Sequence, residues 1–155
     1  MAEVRGVVRV PPAAVWEVLA DGWLYPLWVL GTSGMRAVDQ DFPRVGSRIH
    51  HAVGLWPLVL NDASQVLECV PEQRLVLTAR AWPAGEATTA VELSPGDGGT
   101  AVRLAETPTA GPGAWVNNPL AEALLARRLA EMLDRLRRLA EGRATDADPR
   151  GPARS

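Results

Sequence analysis

Near the end of the chain, apolar residues at Leu125, Leu129, Met132, Leu133, Leu136, Leu139 and Ala140 recur in steps of three and four. That spacing lays them along one stripe of a helix. Arg127, Arg128, Asp134, Arg135, Arg137, Arg138 and Glu141 fill the other faces. Asn118 followed by Pro119 reads as an N-cap and a first helical position. The predicted helix therefore runs from Pro119 to about Ala140, with Gly142 as its stop. At 1.5 Å per residue it is roughly 33 Å long, enough to cross a small domain.

Everything before it is shorter. Glu3–Val10 alternates as a strand and is stopped by Pro11-Pro12. Val15, Val18 and Leu19 give a short helical face ending near Asp21-Gly22, and Trp23–Val29 reads as a second short helix or turn around Pro26. Strands are predicted over Met35–Asp39, Gly46–Val53, Val59–Val70, Arg74–Trp82, Ala87–Leu93 and Thr100–Glu106. The Pro/Gly clusters at Pro71-Glu72, Pro83-Ala84-Gly85 and Pro95–Gly99 have hairpin length, and Thr109–Gly113 reads as a loop. A lone long helix after a strand meander must lay its apolar stripe across the sheet. The domain expected is residues 1–141, followed by a polar, disordered tail over 142–155.

Composition narrows the chemistry more than the fold. A chain of 155 residues with 47% apolar content suits one domain with a real core. A net charge of −2 gives no reason to expect nucleic acid. All sixteen basic residues are Arg, so neither Schiff-base lysine nor P-loop lysine exists. Two adjacent histidines and the single Cys69 cannot assemble the usual zinc sets within one chain, so neither metal nor cofactor is expected. One cysteine suits a reducing cytoplasm. The longest apolar runs, near Leu27–Leu30 and Leu55–Leu60, are too short for stable membrane insertion.

The order strand, two short helices, strand meander, long helix carries a resemblance. Its pieces are the first strand followed by PPAAVWEVLAD, then WLYPLWVLGTSGMRAVD, FPRVGSRIHHAVG, RLVLTARAWP, GGTAVRLAE and the NPLAEALLARR helix start. Together they resemble the START-like, or SRPBCC, superfamily, and within it the small bacterial polyketide cyclase/dehydrase and lipid-transport group. The resemblance spans Met1 to about Glu141. It implies an α+β helix-grip fold, a curved antiparallel sheet wrapped around the long C-terminal helix and enclosing an apolar cavity. In such a fold, tryptophans at helix, turn and strand ends line the cavity mouth. Trp23, Trp28, Trp56, Trp82 and Trp115 hold such positions, with Trp28 and Trp56 the strongest candidates for cavity contact.

Strand alternation selects the polar residues that face inward. Ile49, His51 and Val53 share one face, leaving His50 with Arg48 outside. Val102 and Leu104 carry Glu106 inward. Leu67 and Cys69 share phase with Asn61, Ala63 and Gln65, which puts Asp62, Ser64 and Glu68 on the other face. Along Arg74–Trp82 either Leu75, Leu77 and Ala79 point inward, or a bulge reverses the phase at Arg80 and Trp82. The candidate ligand contacts are thus Trp28, His51, Trp56, Asn61, Gln65, Glu106 and Met132, the last reaching down from the helix. Arg127 and Arg128 read either as a clamp for an acidic head group or as a solvated face, with Glu131 a local partner for Arg127.

These residues predict a domain that binds a hydrophobic or aromatic small molecule, lipid- or polyketide-like, between sheet and helix. Two alternatives stand beside it. One is an aromatase/cyclase- or dehydratase-like enzyme in which His51 and Glu106 act as an acid/base pair for an aldol-type ring closure. The other is a protein-interaction or stress-related domain without a ligand.

Overall fold

The structure, a computed structural model, describes residues 1–30, 32–53, 60–81, 85–110 and 118–147. Strand β1 (Ala2–Val8) leads into helix α1 (Pro12–Leu19), a 3-10 turn (Gly22–Leu24) and the single turn α2 (Tyr25–Trp28). Strands β2 (Thr32–Val38), β3 (Arg48–Val53), β4 (Leu60–Val70), β5 (Arg74–Ala81), β6 (Gly85–Gly96) and β7 (Gly99–Ala110) follow, then helix α3 (Pro119–Ala147). The seven strands form one antiparallel sheet in the order β1-β7-β6-β5-β4-β3-β2. Register shifts interrupt the β2/β3, β4/β5 and β6/β7 ladders. Such bulges bend strands and strengthen their twist, and the sheet curves around α3 without closing.

The predicted stripe of α3 is its buried face. Leu129, Met132, Leu136 and Ala140 are buried, and Leu125, Leu133 and Leu139 pack against the same cluster. They meet Val8, Val15, Val18, Leu19, Trp28, Ile49, Leu75, Leu77 and Leu104 in one core. The helix lies close against β1 because Gly6 leaves room: a Cβ there would stand 2.9 Å from Leu133 Cδ2. Gly99 is needed at the β6–β7 turn. Its φ is +158°, and a Cβ would fall 2.0 Å from the Val8 carbonyl oxygen.

Strand ends shift by one to three residues at β1, β2, β3 and β6, and two larger boundaries differ from the sequence reading. Gly142 does not end α3. An internal glycine costs about 1 kcal/mol, and tertiary contacts offset it: Ala144 packs on the core, Arg143 approaches Asp21 at 3.9 Å, and Glu141 Oε1 accepts from the Arg9 backbone N–H at 3.0 Å. Most of the expected tail, residues 148–155, lies outside the described residues. Strand β7 also runs on to Ala110, through the start of the expected loop, because its ladder with β6 continues past Pro108 beside a register shift. At the other end of α3 the expected cap is present, Asn118 Oδ1 accepting from Leu120 N at 2.9 Å.

On the sheet face away from the helix, Glu3, Arg103, Glu92, Arg74 and Glu68 form a continuous ion-pair ladder across β1, β7, β6, β5 and β4. Arg103 stands directly opposite Glu92, and Glu92 opposite Arg74, in the strand registers. The Arg103 guanidinium, and after it Arg5, holds the Glu3 carboxyl at about 2.

Candidate functional site

Between the sheet and α3 lies a cavity of about 330 Å³. Its floor is sheet: His51 from β3, Ser64 from β4, Leu77 and Thr78 from β5, Thr89 from β6 and Glu106 from β7. Met132 and Arg128 of α3 cover it, and Tyr25 and Trp28 of α2 close one side. Arg80, Glu86, Pro108 and Ala110 mark the rim at the far ends of β5, β6 and β7. Tyr25 and Trp28 pack edge to face with ring centroids 5.0 Å apart, an arrangement aromatic pairs favour.

His51 is 4% exposed and Glu106 5%, and both face this one cavity from separate strands. His51 Nε2 lies 2.9 Å from Ser64 Oγ. Burial lowers the His51 pKa, with the nearby Asp62 carboxylate opposing, so the ring is neutral at neutral pH. Burial raises the Glu106 pKa, against the pull of Arg128, which forms an ion pair with Glu106 Oε2. Arg128 also donates through Nη2 to the Leu30 carbonyl oxygen at 2.8 Å. One guanidinium thus joins α3, β7 and the α2–β2 junction. Burial, and then the Glu106 charge, pushes the Tyr25 hydroxyl far above its ordinary value.

The structure brings Trp28, His51, Glu106 and Met132 together at the cavity wall. It does not bring Asn61 and Gln65 there. Asn61 is exposed, and Gln65 Nε2 donates to the Gly46 carbonyl oxygen at 3.2 Å. The expected phase of β4 is reversed over this stretch: Ser64 and Val66 are buried while Leu67 is 42% exposed. The cause is the register shift between Val66 and Glu68, beyond which Cys69 returns to the core opposite Leu75. Trp56, Trp82 and Trp115 lie outside the described residues. Trp23 is 57% exposed and borders a shallow surface groove with Phe42, away from the cavity. His50 points away as expected, pairing with Asp39 Oδ1 at 3.2 Å.

Ser64 lines the cavity without having been expected there, and Arg128, left open between a clamp and a solvated face, lines it too. Ser64 was hidden by the bulge. Arg128 was legible: it stands three residues after Leu125 and four before Met132, on the stripe itself. Of the two alternatives, the solvated face fits only Arg127, which is exposed, and Glu131 pairs with Arg135 instead. Among the described residues no group of three or more His, Cys, Asp or Glu side chains could hold a metal ion. Among them, too, no helix is long and apolar enough to cross a membrane.

Residues 1–141 match the family described as polyketide cyclase/dehydrase and lipid transport. Solved structures share the fold. Protein NE0264 from Nitrosomonas europaea is 22% identical, with a TM-score of 0.69 over 91% of this chain and 94% of that one. Protein CV1439 from Chromobacterium violaceum is 22% identical, with a TM-score of 0.64 over 90% and 96%. The di-domain ARO/CYC StfQ from the steffimycin biosynthetic pathway is 15% identical, with a TM-score of 0.67, and this chain covers 92% of itself and 50% of StfQ. No curated protein matches the chain.

Proposed function

Because the chain belongs to the polyketide cyclase/dehydrase and lipid-transport family, we propose that it binds a hydrophobic or aromatic small molecule between the sheet and α3. The observation that carries this reading is the cavity itself. At about 330 Å³ it sits at the small end of ligand pockets, mostly apolar with a few convergent polar groups. A ligand-free interaction domain would fill this space with side chains. Met132, at 1% exposure, forms part of the roof and is the position from which the cavity can be blocked. Planar aromatic probes should bind in the micromolar range, about −8 kcal/mol, and quench tryptophan fluorescence. Met132→Trp should abolish binding while the far-ultraviolet circular dichroism stays unchanged. An intact fold that takes up none of the apolar probes overturns the proposal.

A second reading, an aromatase/cyclase- or dehydratase-like enzyme, is supported by His51 and Glu106 facing one cavity. The neutral His51 ring is able to accept a proton, and Glu106 is able to donate one when protonated, which its raised pKa favours. The fold neighbour StfQ carries the ARO/CYC designation. On this reading a linear poly-ketone is turned over, His51→Ala loses on the order of a hundredfold in rate, Glu106→Gln is similarly impaired, and His50→Ala is not. Binding of such a ketone with no turnover restricts the protein to the first reading.

A further inference from the structure

Two buried side-chain nitrogens among the described residues have no hydrogen-bond partner, Trp28 Nε1 and His51 Nδ1. Both residues line the same cavity, at 0% and 4% exposure. A buried polar group left unpaired is costly, and native proteins leave few of them. The indole nitrogen can only donate. The role of the histidine nitrogen follows from Ser64, whose hydroxyl has His51 Nε2 as its hydrogen-bond partner. If Ser64 donates to Nε2, its proton is used and only Nδ1–H is left over. If Nε2–H donated to Ser64, both the serine proton and the Nδ1 lone pair would be stranded. The first tautomer leaves fewer groups unmet, so His51 Nδ1 joins Trp28 Nε1 as a second unpaired donor on a cavity-lining residue.

The charges on the wall are already matched. Glu106 pairs with Arg128, and Arg80 at the rim pairs with Glu86 at 3.1 Å. An anionic ligand would meet the Glu106 carboxylate and arginines that are already engaged. A cationic ligand would meet two N–H groups.

Resting on the binding reading above, we propose that the cavity selects a neutral apolar molecule carrying a carbonyl-type oxygen, held by Trp28 Nε1–H and His51 Nδ1–H. A ketone oxygen has two lone pairs and brings no proton of its own. It therefore satisfies donors without adding a new unmet group. A hydrocarbon of the same shape fills the same space and leaves both nitrogens stranded.

The test compares three probes of one shape by titration calorimetry on the full chain: 2-acetylnaphthalene, its carbon isostere 2-isopropenylnaphthalene, and 2-naphthoate. The ketone should bind on the order of tenfold tighter than either of the others. In proton–nitrogen NMR, the Trp28 indole signal, assigned by its loss in Trp28→Phe, should shift with the ketone and not with the isostere. Should the phenylalanine variant fail to fold, the three wild-type titrations still decide the matter. Equal affinity for ketone and isostere overturns this inference and leaves the binding function standing. Naphthoate as the tightest ligand also overturns it. Binding of none of the three overturns both.

Discussion

Replacing Arg128 by Met keeps a long side chain on α3 and removes its charge. Two contacts disappear at once, the ion pair to Glu106 and the bond to the Leu30 carbonyl oxygen. Glu106 is 5% exposed, so its carboxylate cannot turn to water for compensation. Breaking a fully buried pair from one side costs about 3–5 kcal/mol. The Arg128 side chain is 32% exposed, which screens part of the interaction. The loss expected at pH 8 is therefore about 2–3 kcal/mol. Its pH dependence has a definite sign. Glu106 already has a raised folded-state pKa, so the folded protein holds that proton more tightly than the unfolded chain does. The stability so gained is fully present below the unfolded value and is lost as pH rises through the folded one. Removing Arg128 raises the folded value further and widens that window. Urea unfolding followed by circular dichroism, at pH 8 and again near pH 5, should show the deficit of Arg128→Met shrinking on acidification. Adding Glu106→Gln should recover much of the loss at pH 8. A deficit under about 0.5 kcal/mol, or one that does not narrow as pH falls, refutes the reasoning.

Leu129→Ala should cost about 2–5 kcal/mol in the same unfolding assay, since Leu129 is fully buried on the helix stripe, whereas Arg137→Ala at the helix surface should be nearly silent. Ending the chain after Gly142 removes the packed Ala144 and the Arg143 contact with Asp21; the melting temperature should drop by about 2–4 °C, roughly 1 kcal/mol for a domain this size, and an unchanged value would show the last turns of α3 to be dispensable. Glu92→Gln breaks the middle of the outer ion-pair ladder; the destabilisation should stay under about 1 kcal/mol and fade in 1 M salt, where charges this exposed are screened.

Periodicity read well wherever a regular element ran without interruption. The ladder of β7 with β1 is unbroken from Thr100 to Glu106, so the parity set by Val102 and Leu104 carried Glu106 to its observed inward place. His51 followed from Ile49 in the same way. The failure on β4 has one source: Leu67 and Cys69 lie at and beyond an extra residue in the ladder, and they set the phase for Asn61 and Gln65 on its near side. A bulge leaves no mark in apolar alternation, so Ser64 stayed hidden. Arg128 stayed open between a clamp and a solvated face for a different reason. The stripe spacing included it, but an arginine on a helix is ordinarily solvated, and it is the buried carboxylate 22 positions upstream, together with the Leu30 carbonyl oxygen, that turns it inward. The orphan nitrogens of Trp28 and His51 are beyond sequence altogether, because a missing partner is a fact of three-dimensional packing.

The ion-pair ladder on the outer sheet face has an evolutionary consequence. Glu3, Glu68, Arg74, Glu92 and Arg103 come from five strands scattered over a hundred residues of chain, yet each interior member serves two neighbours of opposite sign. A sign change at one of the three interior positions, Arg74, Glu92 or Arg103, sets like charges side by side on both flanks, a defect that a compensating change at only one neighbour leaves half repaired. Lineages that share the ladder should therefore conserve its alternation or invert it in concert. These five positions would then drift as one inherited character, while the exposed residues around them vary independently.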